Sequence, residues 1–425
     1  ALYGSSTGSA NIGIGAQAIY SYGSAGITVS NLIGIGYQSL YYNSAGSSNI
    51  GIGYNSLFTN NLGYQNLAIG NQALYGNTNG YQNIGVGDLS LYSNTSGASN
   101  VALGFQALYG STATSNNIAI GVNALYSTAN TKSNLIAIGD NSLYSNTTGA
   151  SNVAIGSSAM SANTTGGLNV ALGYQALAAN ILGSQSVAIG WKALAGSTGT
   201  GANTAIGSQA ILVNTTGGEN VGIGQAVLQS NTTGNQNVAI GVAACGGATT
   251  SGSVAVGYQA LWSLSNTSSY LIAIGYNSLY SNTSGARNVA IGYQALLNNT
   301  NGSYNTAIGY NAGSNLSSGS ANVAIGNNAL LNNQTGSDNF ALGYNALWTA
   351  TGSQNIAIGS NAGSNITTGA NNTIIGGYSA TSTLSNTVVL AAGTTERLKV
   401  DSTGLYVNQS TDDLADAVAI AWLGL

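Results

Sequence analysis

The sequence predicts an all-β fold, a parallel β-roll or β-solenoid of about 22 coils, and three observations predict it. A pentapeptide of the form N-V-A-I-G recurs 22 times, its closing glycine running from Gly15 to Gly376, mostly at steps of 17 residues. Every copy is followed by a second alternating stretch, and both stretches end in turn-forming residues. The composition is extreme: 62 Gly, no Pro, no His, one Cys, and only five cations and nine acids among 425 residues, of which 44% are apolar. So few charges mean that Asn, Ser, Thr and Gln must meet the water. The apolar content is still high enough to bury a core, unlike that of a disordered low-complexity polymer.

The unit, written from its Asn, reads N-V-A-I-G-Y-Q-A-L-Y-S-N-T-T-G-A-S and stands nearly intact from Asn288 to Tyr304. Alternation around V-A-I and again around A-L-Y predicts two short strands per unit, each closed by a turn. A strand of about four residues cannot bury its face alone, so successive copies should stack in register as one coil per unit. At about 4.8 Å per coil this gives a shaft on the order of 100 Å long, expected over residues 1–385.

Position by position, the pattern assigns faces. Branched residues at positions two and four, such as Ile50 and Ile52, Val238 and Ile240, or Val323 and Ile325, are expected to point into the coil. Leu at position nine (Leu57, Leu108, Leu143, Leu296, Leu347) should supply the opposite wall, with Met160 and Cys245 as fillers of that slot. Position three is Ala or Gly in 21 of 22 copies, Ile374 being the exception. Lying between two inward neighbours, it should face outward. Its small size then implies a second backbone close by, either a neighbouring chain or a tight turn of the same chain. On the first alternative Ala154, Ala239 and Ala290 are expected at a homotrimer interface. The invariant Gly at position five implies a positive φ or a corner without room for a Cβ.

Asn opens 17 of the 22 units, which should stack as an amide ladder, with hydration or ice contact as the other reading. Aromatics recur at position six (Tyr54, Tyr258, Tyr293) and position ten (Tyr75, Tyr109, Tyr144, Trp262). They can stack on each other between coils or on sugar rings.

Much chemistry is excluded. Without His there is no Ser-His-Asp or Cys-His pair, and the acids of the shaft, Asp88, Asp140, Glu219 and Asp338, are scattered over different units. No catalysis, cofactor or metal is expected. Five cations form no basic patch, so nucleic acid is not an expected partner. No apolar run reaches the roughly 18 residues that a spanning helix needs, so membrane insertion is not expected either.

The period stops after Gly376, and from 386 to 425 the composition shifts. Glu396 to Asp401 and Leu405 to Val407 around Ser402-Thr403-Gly404 predict a charged hairpin, and 411–425 a short apolar helix. Here Tyr406 and Trp422 are candidate receptor contacts. The chain opens with Ala1-Leu2-Tyr3-Gly4, which matches positions eight to eleven of the unit. The sequence is therefore expected to be part of a longer protein.

The unit N-V-A-I-G-Y-Q-A-L-Y-S-N-T-T-G resembles the β-roll repeats in the heads of trimeric autotransporter adhesins, and still more the N-T-A-I-G-Y-x-A-L repeats of phage tail fibres. In the latter, a segment similar to Thr395 through Gly404 often joins the repeats to a self-releasing chaperone domain. This sequence carries neither that domain after the hairpin nor a membrane-anchoring barrel. The resemblance implies a homotrimeric, virion-borne fibre that holds a binding site for a host cell-surface glycan or protein. A bacterial surface adhesin or extracellular filament, and an ice-binding solenoid, are the other functions the pattern admits. Against the last, Thr clusters in turns such as Thr147-Thr148 and forms no flat array.

Overall fold

The structure, a computed structural model, describes residues 8–20, 29–199, 201–247 and 249–407. The chain forms two compact units, Ala1–Asn220 and Val221–Leu425. Each unit is a parallel β-solenoid. In the first, twelve three-residue strands run from β1 (Ile12–Ile14) to β12 (Thr204–Ile206). In the second, ten run from β13 (Val221–Ile223) to β22 (Thr373–Ile375), followed by β23 (Val388–Ala392), β24 (Thr395–Asp401) and β25 (Gly404–Val407). No helix occurs among the described residues. The short helix expected at 411–425 and the mid-repeat start of the chain both lie outside them.

Identical positions pair with one another. Val170, Ala171 and Leu172 stand beside Val187, Ala188 and Ile189 in one unit, as Val289, Ala290 and Ile291 stand beside Thr306, Ala307 and Ile308 in the other. Each coil contains one strand, not the two that the alternation suggested. Around positions seven to ten the chain still bonds from coil to coil: the Asn55 N–H donates to the Tyr37 carbonyl at 2.9 Å and the Leu57 N–H to the Ala73 carbonyl at 3.0 Å. Alternate residues there are left-handed, with φ of 54° at Asn55 and 49° at Leu57. A period of two can arise from alternating right- and left-handed residues as well as from a pleat, and the side-chain pattern does not distinguish them.

The interior is the reverse of the expected one. Ala at position three is wholly buried, whereas Val and Ile at positions two and four are half-buried or exposed. Ala154, Ala239 and Ala290 therefore point into their own coil and are covered by their own chain. They cannot form the surface against a neighbour, and the crowding that restricts them lies within one chain. Opposite them stand Leu at position nine, as anticipated, and Ala or Ser at position eight, all with essentially no exposure. Met160 and Cys245 occupy the leucine slot and are equally buried. The coil is too narrow for two large walls, so Leu faces Ala.

Two coils confirm this size rule by breaking it. Position nine is Gly at Gly313 and Gly363, and three residues later the usual buried Asn is replaced by Leu316 and Ile366, both buried. The apolar volume has moved within the coil without being lost. Beside Gly363, the large Ile374 takes the place of the usual Ala, and a Cβ on that glycine would approach the Ile374 Cδ1 to 3.2 Å.

Candidate interaction surfaces

With position three inside, the sheet of each unit presents positions two and four to solvent as a stripe of branched aliphatics. Val170 and Leu172 are 38% and 42% exposed in the first unit, and Ile272 and Ile274 36% and 37% in the second. Each has like neighbours in the coils above and below, so this remaining exposure is on the outer face. Strongest in ten of the 22 coils and partial in the others, and interrupted only by Thr204, Thr306 and Thr373 at position two, it makes an apolar patch longer than the scattered exposed side chains of an ordinary monomer. Neither unit's stripe contains a charged residue, from β1 to β12 in the first or from β13 to β22 in the second. The sequence signalled it plainly in the Val and Ile of each pentapeptide, but the assignment of faces had turned them inward.

The other faces are richer in polar groups, and most of their buried amides are paired within the chain, Asn94 Oδ1, Asn299 Oδ1 and Asn333 Nδ2 being among the exceptions. Asn at position one forms a buried ladder, Asn66 Nδ2 donating to Asn49 Oδ1 at 3.2 Å and to the Gly80 carbonyl at 2.8 Å. A second buried ladder, which the sequence reading missed, runs through position twelve: Asn77 Nδ2 donates to Asn60 Oδ1 at 2.6 Å and to the Gly80 carbonyl at 3.0 Å. Its Asn followed by two Thr also forms N-x-T sequences, as at Asn146, Asn163 and Asn231, the pattern of a glycosylation acceptor. Asn146, Asn163 and Asn231 are buried with their amides engaged, so the folded coil withholds them from glycosylation. Outside these ladders, Thr hydroxyls cap carbonyls of the next coil, as from Thr95 to Thr112 at 2.9 Å.

Aromatic rows stand on the turn side. At position ten Tyr20, Tyr41, Phe58, Tyr75, Tyr92, Tyr109, Tyr126 and Tyr144 stack in sequence with centroids 4.9 to 5.2 Å apart. Position six stacks likewise from Tyr258 through Tyr276 and Tyr293 to Tyr310. Stacked rings cover each other's faces, which leaves edges and hydroxyls for contact and makes the rows chiefly coil-to-coil cement. Beyond Tyr144 the position-ten row gives way to Ser161, Ala178 and Ala195, and two shallow recesses open there. One lies beside Tyr144 and Ser161; the other, about 460 Å³, is lined by Gln175, Ala178, Lys192, Ala195 and Leu212.

The expected hairpin is present, β24 and β25 pairing antiparallel through Lys399 and Tyr406 and closing at Asp401 and Gly404. Strand β23 joins it to the coils, parallel to β22 on one side and antiparallel to β24 on the other. Lys399 Nζ is 3.1 Å from Asp401 Oδ2 and lies 5.5 Å from the Tyr406 ring centroid. The hydroxyl and N–H of Thr403, with Lys399, hold the Asp401 carboxyl down to about 2. Leu405, Tyr406 and Val407 are all exposed. Trp422, the other candidate contact, lies outside the described residues.

Among the described residues no three His, Cys, Asp or Glu side chains come together in a way that could hold a metal ion, and no helix is long and apolar enough to cross a membrane. Neither any known protein family nor any curated protein matches the chain.

Proposed function

We propose that this chain is the shaft of a homotrimeric attachment fibre, of the phage tail-fibre kind, with a structural and not a catalytic role. The observation that carries the reading is the apolar stripe. A lone chain would leave a branched aliphatic at position two or four more than a third exposed in ten of the 22 coils, Leu172, Ile240 and Ile274 among them, and half-buried in the rest, and burying such area is the dominant drive for association. Because the stripe repeats at the spacing of the coils, a surface with the same spacing fits it at every level, and a further copy of this chain supplies one. Three stripes meeting about an axis give a dry seam, while the Asn, Thr and Tyr faces stay in water. The receptor contact is proposed in the C-terminal module, on Tyr406 and Trp422, because local variety and charged residues gather after 386 while the coils repeat one chemistry.

Light scattering on the native protein tests the assembly. A mass near three times 42.1 kDa is expected. Replacing Ile240 and Ile274 together by Lys should lower it to one chain while the far-ultraviolet circular dichroism of the coils persists. A native protein of single-chain mass, or a double variant that stays assembled, would overturn the reading.

A further inference from the structure

We infer that Tyr270, Arg287 and Tyr304 form a binding site on the second unit for a glycan bearing a carboxylate. All three are the last residue of their unit, in successive coils, and all are left-handed, with φ of 62°, 57° and 62°. That corner throws its side chain outward. Other coils place Gln, Ser, Ala, Leu, Glu or Asp there (Gln236, Ser99, Ala321, Leu168, Glu219, Asp338), so packing makes little demand on the residue type. An aromatic–Arg–aromatic run at a position free of packing constraint calls for another explanation, and surface recognition supplies one.

The geometry fits an acidic sugar. Arg287 leans toward the upper coil, its Nη1 donating to Tyr304 Oη at 2.7 Å and its guanidinium lying 5.5 Å from the Tyr304 ring centroid. This contact fixes the guanidinium and leaves its other N–H groups for a carboxylate, which a guanidinium can grip with two parallel hydrogen bonds. No carboxylate among the described residues is within ion-pair distance of it. Tyr270 leans the other way, over Gly252: a Cβ on that glycine would stand 2.9 Å from the Tyr270 Cδ1. Tyr270 is 64% exposed, and its ring has no stacking partner among the aromatic pairs of the second unit. The two side chains thus diverge across one coil step, an exposed aromatic group on one side and a cation on the other.

A sugar ring offers what this pair requires, an apolar face for Tyr270 and an acid for Arg287. A peptide strand would gain little here, since the backbone is already paired: the Tyr270 N–H donates to the Ser251 carbonyl and the Tyr304 N–H to the Ala286 carbonyl, both at 3.0 Å. Among the described coils of the second unit Arg287 is the sole cation, so the site is matched to one negative charge at a time. This inference does not depend on the trimer, because a single chain carries the complete site.

The test is titration calorimetry of the intact protein with 3′-sialyllactose and trigalacturonate, two sources of a sugar carboxylate, and with lactose as the neutral control. At least one acidic sugar should bind, with lactose weaker by about ten-fold or more. Arg287→Gln should remove that preference, Tyr270→Ala should weaken the acidic sugar several-fold, and Gln354→Ala, at the same corner elsewhere, should change neither. Tyr304→Phe keeps the ring but releases Arg287, and should weaken binding less than Arg287→Gln. Equal binding of lactose, unaltered binding in Arg287→Gln, preference for an oligoglutamate peptide over both acidic sugars, or no binding of either acidic sugar at about 10 mM would each overturn the inference.

Discussion

At the residue scale the decisive fact is which of two alternating sets is small. V-A-I fits a strand with Val and Ile inward or with Ala inward, and volume settles it: Leu at position nine already fills the narrow coil, so its opposite number must be Ala. Hydrophobicity alone argued the other way and failed, although the Leu, Met160 and Cys245 slot was legible because apolar residues recur there without interruption. The corrected orientation changes what a mutation at position three means. Ala290→Leu adds three carbons to a closed interior and should destabilise the coil itself by about 1–3 kcal/mol. A lower thermal midpoint in any oligomeric state is the expected result; an unchanged midpoint with altered mass would restore Ala290 to an interface. Cys245 yields a second test. Burial pushes its thiol up to about 11, a shift that the Thr250 hydroxyl, 3.5 Å away, only partly opposes. Native protein at pH 8 should resist thiol reagents that react once it unfolds. Because the folded value lies above the ordinary 9.0, the proton is held more tightly in the fold. This contribution is therefore complete below pH 9 and lost as pH rises toward 11, by about 2–3 kcal/mol. Cys245→Ala should show a smaller loss of stability over that interval.

At the element scale each coil joins one strand to a run of turns, and the joint is the glycine at position five. Gly292 has φ of 136°, and a Cβ there would stand 2.3 Å from the carbonyl oxygen of Gly309 in the next coil. Both expected reasons for the glycine thus act together, strain and lack of room. Gly292→Ala should cost at least about 2 kcal/mol in denaturant unfolding, more than a typical exposed substitution; an effect within about 0.5 kcal/mol would mean that the coils can part at that corner. The other left-handed residues were not legible. Leu296 sits at φ 51°, a conformation costing a non-glycine residue on the order of 1 kcal/mol, which the burial of its side chain offsets. Nothing in the letter L announces φ, so the second stretch read as a strand. The C-terminal hairpin was legible because its alternation and its two-residue turn agree, and Asp401 accepting the Thr403 N–H at 2.9 Å is the local bond such a turn prefers. The Tyr270, Arg287 and Tyr304 corner was hidden, because the three residues are seventeen apart and only the coil brings them together.

At the scale of the whole molecule two candidate contacts compete, the C-terminal module and the corner on the coils. The change in composition at 386 suggested cutting the chain there, but β23 begins at Val388, pairs with β22 and buries Val389, so it still covers the last coil. Removing it would expose the parallel edge of β22 and confuse loss of binding with fraying of the shaft. The informative truncation keeps β23 and deletes residues 394–425, with a foreign trimerisation segment holding the chains together. Three copies of a weak terminal site gain from multivalency only if the target presents several ligands within their reach, so the readout should be binding to whole cells. Bacterial strains are first selected with the intact protein. If Tyr406 and its neighbours make the receptor contact, the truncated trimer should lose cell binding while keeping its thermal midpoint and its affinity for acidic sugar. If cell binding survives the truncation and falls only on Arg287→Gln, recognition lies on the coils and the terminal module has another role.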